Sequence, residues 1–198
     1  MLIIETNTTF EKYLKSLSTV SRKNYKYADK HNKDLTYKKI PFDRELVESF
    51  MKLWEQQLIR GKRRRWKFSV RHVERLDKQN KLKVFAAYDE GACRAVHFVE
   101  FHDNYIEAHP PMYAKSYGSE RYLAKWMWFN LIRYAMEKHL PNIDMGGGLY
   151  DSWRETIVRR KEPEIAKYTK YKWLYVPEKA KKNPDQQYDY KLVNEKLT

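Results

Sequence analysis

The amino-acid sequence predicts an α/β protein built on a mixed sheet. Three β-prone runs, separated by short turns rich in Asp, Asn and Gly, occupy residues 82–109 and are typical of an antiparallel meander. A long aromatic helix pattern at residues 119–138 is followed by a short strand that ends at Asp144. A strand, a helix and another strand in succession predict a parallel crossover, so the sheet should combine antiparallel pairs with one parallel connection.

The first 80 residues are predicted to be mainly helical. Apolar residues recur at intervals of three and four in two long amphipathic segments, and Ser18 and Thr19 are candidate caps for a basic helix that follows them. The predicted helices lie at residues 10–17, 21–30, 44–60 and 69–78, and a strand is predicted at residues 35–40. The basic segment at residues 21–30 suits either a solvated face or a face that meets phosphate.

The helix predicted at residues 119–138 is apolar over more than one face. Leu123, Met127 and Leu131 line one face, while Trp126 and Phe129 line the next. A helix with so much apolar surface must be enclosed between a sheet and another layer. We therefore expect its aromatic residues to be core rather than a stacking surface for bases.

The chain of 198 residues carries a formal net charge of +14. This excess indicates an anionic partner or substrate such as a nucleotide, a nucleic acid or a phosphorylated carrier, although it also suits a chain that is merely kept soluble. A basic run at residues 60–67 is likewise typical of a solvated loop or of an anion-binding loop. The size predicts a single domain at residues 1–177 with a polar tail at residues 178–198.

Cysteine usage and hydropathy bear on the compartment. Cys93 is the only cysteine, so it has no disulfide partner in the chain, which predicts a reducing, cytoplasmic compartment. No run approaches the roughly 20 apolar residues that a membrane span requires, and no membrane span is expected.

Common catalytic and metal-binding motifs are missing from the sequence. The six histidines show no HExxH or other paired spacing, and a single cysteine excludes a Cys-rich zinc site, so no metal is predicted. There is no GxSxG, Walker A or GxGxxG motif, and the three glycines at residues 146–148 are by themselves a weak signal for phosphate binding.

The order of the predicted elements is more informative than any single motif. Four short segments, at residues 17–26, 82–96, 122–126 and 144–148, occur within that order. Together they resemble the GNAT N-acyltransferase family, and more specifically its single-domain FemAB/BioF2-like branch, over roughly residues 10–176. The resemblance implies a GNAT-like fold and an acyl-CoA-dependent enzyme, with acetyl-CoA as the expected donor. It also implies a primary amine as acceptor, either an amino sugar or a nucleotide-linked amino sugar used in glycan or surface-polymer synthesis.

Two departures from the family leave the donor open. The Arg/Gln-x-x-Gly-x-Gly/Ala signature of GNAT enzymes is absent, and residues 117–121 stand in its place. FemAB peptidoglycan enzymes have two such domains and use aminoacyl-tRNA, whereas this chain has room for one. Aminoacyl-tRNA is therefore the alternative donor. A non-catalytic nucleic-acid-binding protein, with Trp66, Tyr25 and Tyr27 stacking on bases, is a further alternative that is not favoured.

The resemblance also suggests the residues of the active site. The resemblance places Glu107 and His109 on the strand whose interruption exposes backbone N–H groups in this fold. Being two positions apart they point the same way, and either could be the general base that takes the proton of the attacking amine. Asp144 could hold the substrate ammonium or accept its proton, and Tyr150 is the candidate acid for the departing thiolate. Ordinary structural roles remain open for all four, as a surface strand residue, turn residues or one tyrosine among sixteen.

The predicted donor site lies in the loop before the long helix. Backbone amides at a helix N-terminus and nearby cations favour a pyrophosphate. The residues expected to contact it are Lys115, Tyr117, Gly118, Ser119 and Arg121.

Overall fold

A computed structural model describes residues 3–60, 69–103, 105–113 and 122–144. Five helices lie in these ranges: α1 (Phe10–Ser16), α2 (Thr19–His31), α3 (Arg44–Arg60), α4 (Val70–Lys78) and α5 (Leu123–Glu137). The strands in the same ranges are β1 (Ile3–Ile4), β2 (Thr36–Ile40), β3 (Leu82–Asp89), β4 (Ala92–Phe101), β5 (Tyr105–Ala108), β6 (Met112–Tyr113) and β7 (Asn142–Asp144).

The strands form one mixed sheet. Its order is β1-β7-β5-β4-β3-β2, and β6 also pairs with β4. The pair β5–β7 is parallel and is connected through α5, whereas the other pairs are antiparallel. The predicted α/β class, with a meander and one parallel crossover, is confirmed.

Local sequence explains where two of the helices begin. The Ser18 side chain accepts a hydrogen bond from the Ser21 amide at the start of α2, and Ser69 accepts one from the His72 amide at the start of α4. A side-chain oxygen at this position satisfies an amide that the helix cannot pair internally. The cap predicted at Ser18 is therefore confirmed.

Helix α5 begins later than its sequence pattern predicts. Tyr122 is in the left-handed region, with φ 53°, so the helix starts at Leu123 rather than at residue 119. A left-handed residue cannot continue a right-handed helix. The burial prediction for this helix is correct, because Leu123, Met127, Leu131 and Phe129 are at most 1% exposed.

The sheet is covered on both faces. Alternate residues of β3 separate the two layers, with Phe85 packing in the core beside α1 and α5 and Val84 in the core beside α3 and α4. This follows from the two-residue period of a strand. No helix in the described ranges is both long enough and apolar enough to cross a membrane.

β5 and β6 are two parts of one interrupted strand that runs along β4. Val99 pairs with Ala108, but Val96 pairs with Met112, so three steps along β4 match four steps along its partner. The extra residue lies within residues 109–111 and forms a bulge. Two of these residues are prolines, which have no N–H to give to the ladder.

Candidate active site

Three carboxylates lie side by side across the sheet. Glu100 of β4 pairs with Glu107 of β5, which in turn pairs with Asp144 of β7. Residues directly opposite each other on neighbouring strands point to the same face. The crossover through α5 therefore brings together acidic residues that are far apart in the sequence.

Glu100 is the centre of a buried hydrogen-bond network. Its Oε1 lies 2.7 Å from Nε2 of His109 and 3.3 Å from Nε2 of His72, which comes from α4. Burial alone would raise the pKa of Glu100, but the hydrogen bonds and charges of His109 and His72 hold it below its ordinary value. Glu100 is therefore a carboxylate that stays ionised and orients the two imidazoles.

Glu107 has the opposite electrostatic character. Its pKa is raised, first by burial and also by the negative charges of Glu100 and Asp144, against the opposing effect of His109 and His102. Its side chain is 38% exposed, so it is more accessible than Glu100, whose side chain is 9% exposed. A carboxylate with a raised pKa that solvent can reach is suited to accept a proton from a bound molecule.

His102 lies between the two glutamates. Its Nε2 is 3.8 Å from Oε2 of Glu107 and 4.0 Å from Oε2 of Glu100, distances too long for hydrogen bonds. The potential ligand atoms of these three residues all lie within 4.8 Å of one another. Such a group could hold a cation, or its carboxylates could pair with a protonated imidazole. The prediction from sequence that the protein has no metal stays a prediction.

His109 lies in the bulge between β5 and β6 and is 7% exposed. Its amide donates a hydrogen bond to the carbonyl of Phe98, at 3.0 Å. Since Pro110 and Pro111 have no N–H, residues 109–111 offer no free amide to an oxyanion. The interruption therefore exposes no backbone N–H donor at residues 109–111, contrary to the expectation from the resemblance.

His97 is a buried histidine on the opposite face of β4 from Glu100. It is completely buried, and its ring lies 4.8 Å from that of Trp128 in a T-shaped arrangement. Neither ring nitrogen makes a hydrogen bond to a described residue. Burial, followed by the charge of His109, lowers the pKa of His97 to about 3, so the ring is neutral.

The structure brings together three of the predicted catalytic residues, Glu107, His109 and Asp144. The fourth, Tyr150, lies outside the described residues, as do all the residues predicted to contact the donor: Lys115, Tyr117, Gly118, Ser119 and Arg121. Their roles stay predictions.

Sequence reasoning missed Glu100, His72 and His102. A signal for Glu100 was present, because it is the one charged residue in the apolar second half of β4, from Val96 to Phe101. Lys and Glu side chains are rarely buried without a partner, so this glutamate required one. The histidines were missed because their spacing along the chain shows no pattern. The three histidines near Glu100 lie on α4, between β4 and β5, and in the bulge between β5 and β6.

Comparison with known proteins agrees with this architecture. The model of the GNAT acetyltransferase domain matches residues 17–154. This chain belongs to the GNAT acetyltransferase family. The recognition made from the sequence is thus confirmed, and the family supports an acyltransferase. Among curated proteins, no sequence matches.

Solved structures share the fold at low sequence identity. FemX matches with a TM-score of 0.61 and 13% identity over 79% of this chain and 57% of that chain. L-PGS from Bacillus licheniformis matches with a TM-score of 0.51 and 15% identity, over 73% of this chain and 43% of that chain. The chain thus spans little more than half of FemX. The likeness to FemX shows that the two chains share a fold.

Proposed function

We propose that this GNAT family member is an N-acyltransferase that moves an acyl group from acyl-CoA to a primary amine, with acetyl-CoA as the donor. The observation that carries the proposal is Glu107. It is accessible, its pKa is raised, and it lies between Glu100 and Asp144 beside the bulged strand. Amide formation needs such a base.

Glu107 and Asp144 have separate tasks in the proposed reaction. The amine nitrogen attacks the thioester carbonyl carbon, so that a C–N bond forms and the C–S bond breaks. An acceptor that enters as an ammonium ion loses two protons, one to solvent before the attack and one to Glu107 as the C–N bond forms. The thiolate takes a proton from an acid, for which Tyr150 is the candidate, and solvent then returns a proton to that acid and removes the one on Glu107. Asp144, 6% exposed and next to Glu107, supplies negative charge that favours an ammonium group before it is deprotonated.

Glu100 and His109 act as positioning residues in this scheme. With Nε2 donating to Glu100, the lone pair of a neutral His109 lies on Nδ1. The negative charge of Glu100 also contributes to the raised pKa of Glu107. Burial, Glu100 and Asp144 thus make Glu107 a stronger base than an isolated carboxylate, against the opposing effect of His109.

The proposed acceptor is an amino sugar, free or linked to a nucleotide. The row of three carboxylates suits a substrate that enters as an ammonium ion. The family resemblance is what suggests the sugar and its use in glycan or surface-polymer synthesis.

The test is an assay of thiol release from acetyl-CoA with a panel of amino sugars and nucleotide-linked amino sugars. We expect Glu107→Gln to lower turnover by about 10²–10⁴, because it removes the general base, while acetyl-CoA affinity stays unchanged. Turnover of the wild type should rise with pH as Glu107 loses its proton. The matched control is Glu137→Gln, at the exposed end of α5. Loss of only a few-fold in the Glu107 variant would exclude it as the base.

Aminoacyl-tRNA is a second candidate donor. The fold likeness to FemX favours it, together with the FemAB-like motifs of the sequence. The same amine panel, offered with charged tRNA in place of acetyl-CoA, separates the two donors. Acyl transfer from tRNA without transfer from acetyl-CoA would establish the second candidate.

A further inference from the structure

An aromatic cluster lies where α2 meets the start of α5. Tyr27 of α2 is 45% exposed and stacks on His31, with ring centroids 3.9 Å apart. It also makes a T-shaped contact with Tyr122, the residue before α5, at 4.7 Å. Lys125 in the first turn of α5 places its Nζ 4.6 Å from the centre of the Tyr122 ring. We call these four residues and the neighbouring lysines of α2 the tyrosine–lysine surface.

Among the described residues, the lysines of this surface have no acidic partner. Lys23, Lys26 and Lys30 are exposed on α2, and none of them forms an ion pair with a described residue. Lys125 donates a hydrogen bond to the amide oxygen of Asn24, at 3.4 Å, and has no carboxylate neighbour in the described ranges. Unpaired cations around exposed aromatic rings are expected to attract a ligand that is both aromatic and anionic.

We propose that the tyrosine–lysine surface binds the adenine nucleotide portion of acyl-CoA, with the base stacked on Tyr27 and the phosphates facing Lys125 and the lysines of α2. The proposal rests on the acyl-CoA donor proposed above. It assigns a binding role to residues that lie outside the carboxylate cluster. It also gives a ligand to the basic helix α2. From the sequence alone, the exposed face of this helix could be either solvated or in contact with phosphate.

Several features favour a nucleotide over a larger nucleic acid. The surface offers one well-exposed ring and a few cations at one end of α5, which is enough for one base and its phosphates. A polynucleotide is held by many phosphate contacts spread over a wide area. The surface also adjoins the N-terminus of α5, a 15-residue helix whose N-cap residue, Tyr122, makes no side-chain capping hydrogen bond. The positive end of that helix dipole adds to the attraction for phosphate.

Burial supports the role of Lys125. Its pKa is lowered by burial, as expected for a partly desolvated ammonium group that has no counter-ion in the part of the chain that the structure describes. An incoming phosphate would supply that counter-ion. Replacement of Lys125 should therefore weaken nucleotide binding more than replacement of a fully solvated lysine.

The binding test uses adenosine 3′,5′-bisphosphate as the probe and calorimetry as the measurement, with wild type, Tyr27→Leu and Lys125→Ala. Loss of a stacking ring or a phosphate contact should weaken binding by about five- to a hundredfold. The matched control is Lys78→Ala, an exposed lysine on α4, on the other side of the sheet. Melting temperatures show whether each variant is folded. Because the two test variants change different residues, a folding defect in one leaves the other as a test.

A kinetic comparison adds a second readout. With acetyl-CoA, both variants should raise KM by a similar factor. With S-acetylpantetheine, a thioester that has no nucleotide, they should leave kcat/KM within twofold of wild type.

The outcomes separate this proposal from the proposed function. Absence of bisphosphate binding to wild type, equal binding by all variants, or an equal loss with both thioesters would overturn the nucleotide site. A loss of tRNA affinity in the variants, with bisphosphate binding unchanged, would also overturn it, in favour of an RNA surface. If wild type transfers no acetyl group while the bisphosphate still binds in a Tyr27-dependent way, only the proposed function fails.

Discussion

The carboxylate–histidine cluster around Glu100 and the tyrosine–lysine surface around Tyr27 have opposite charges in a chain whose formal net charge is +14. The first lies on the face of the sheet that α4 covers, since His72 of that helix reaches Glu100. The second lies on the other side, where α2 packs against α5. The net charge alone therefore says little about either region, because the acidic residues of the site are concentrated within a basic protein.

The two regions also differ in how their charges are stabilised. In the cluster, the carboxylates are wholly or partly buried and interact with specific neighbours. The histidines lower the pKa of Glu100, whereas burial and neighbouring carboxylates raise the pKa of Glu107. On the surface, the lysines of α2 are exposed and rely on water. Burial makes an ionised group sensitive to the loss of a single partner, whereas solvation does not. Substitution of the buried Glu100 should therefore affect folding, whereas substitutions on the tyrosine–lysine surface should affect ligand binding.

The largest effect on stability is expected for Glu100→Gln. Loss of a buried carboxylate that accepts hydrogen bonds from two histidines should lower the free energy of unfolding by about 1–3 kcal/mol at neutral pH. The folded-state pKa of Glu100 is lowered, so its contribution is present above the unfolded pKa and is lost as pH falls through the folded pKa. Urea unfolding at several pH values should show the difference between wild type and variant closing on the acid side. A pH-independent difference would contradict this.

A somewhat smaller effect is expected from charge reversal on the tyrosine–lysine surface. The double variant Lys23→Glu/Lys30→Glu should weaken acetyl-CoA binding about tenfold at low salt, and the difference should shrink as salt screens the phosphates. Titrations of acetyl-CoA at two ionic strengths measure the loss of affinity and its dependence on salt. Its unfolding free energy should stay within about 0.5 kcal/mol of wild type, because the two lysines are exposed. Marked destabilisation would mean that these lysines support the fold.

The smallest effect is expected for the stability of Glu107→Gln, the variant that should lose activity. The folded-state pKa of Glu107 is raised, so its contribution is present below the unfolded pKa and is lost as pH rises through the folded pKa. At pH values above that pKa, Glu107→Gln should raise the free energy of unfolding, by less than about 1 kcal/mol because the side chain is partly exposed. Denaturant melts at neutral and acid pH test this, and a destabilised variant at neutral pH would show that ionised Glu107 has a favourable partner.

Local patterns predicted the secondary structure of the described ranges well. The bounds of α3 and the cap of α4 at Ser69 follow from apolar spacing and from side-chain chemistry within a few residues. The start of α5 was missed because the left-handed conformation of Tyr122 has no signature in a tyrosine. The candidate site was predicted only in part, since Glu107, His109 and Asp144 were identified while Glu100, His72 and His102 were not.

The sequence by itself determined the order of elements, the meander, the enclosed helix and the family. These depend on periodicity and on turn residues, which act over short stretches of chain. Only the tertiary structure decided that Asp144 lies beside Glu107, that His109 and His72 share Glu100, and that Tyr27 meets Tyr122. Strand order, register and the bulge set the contacts of the cluster, and the packing of α2 on α5 sets the contact of Tyr27. Apart from the pair Glu100 and His109, the residues that meet are separated by tens of positions. The pKa values follow from that packing, because burial and neighbouring charges, not the residue type, shift them.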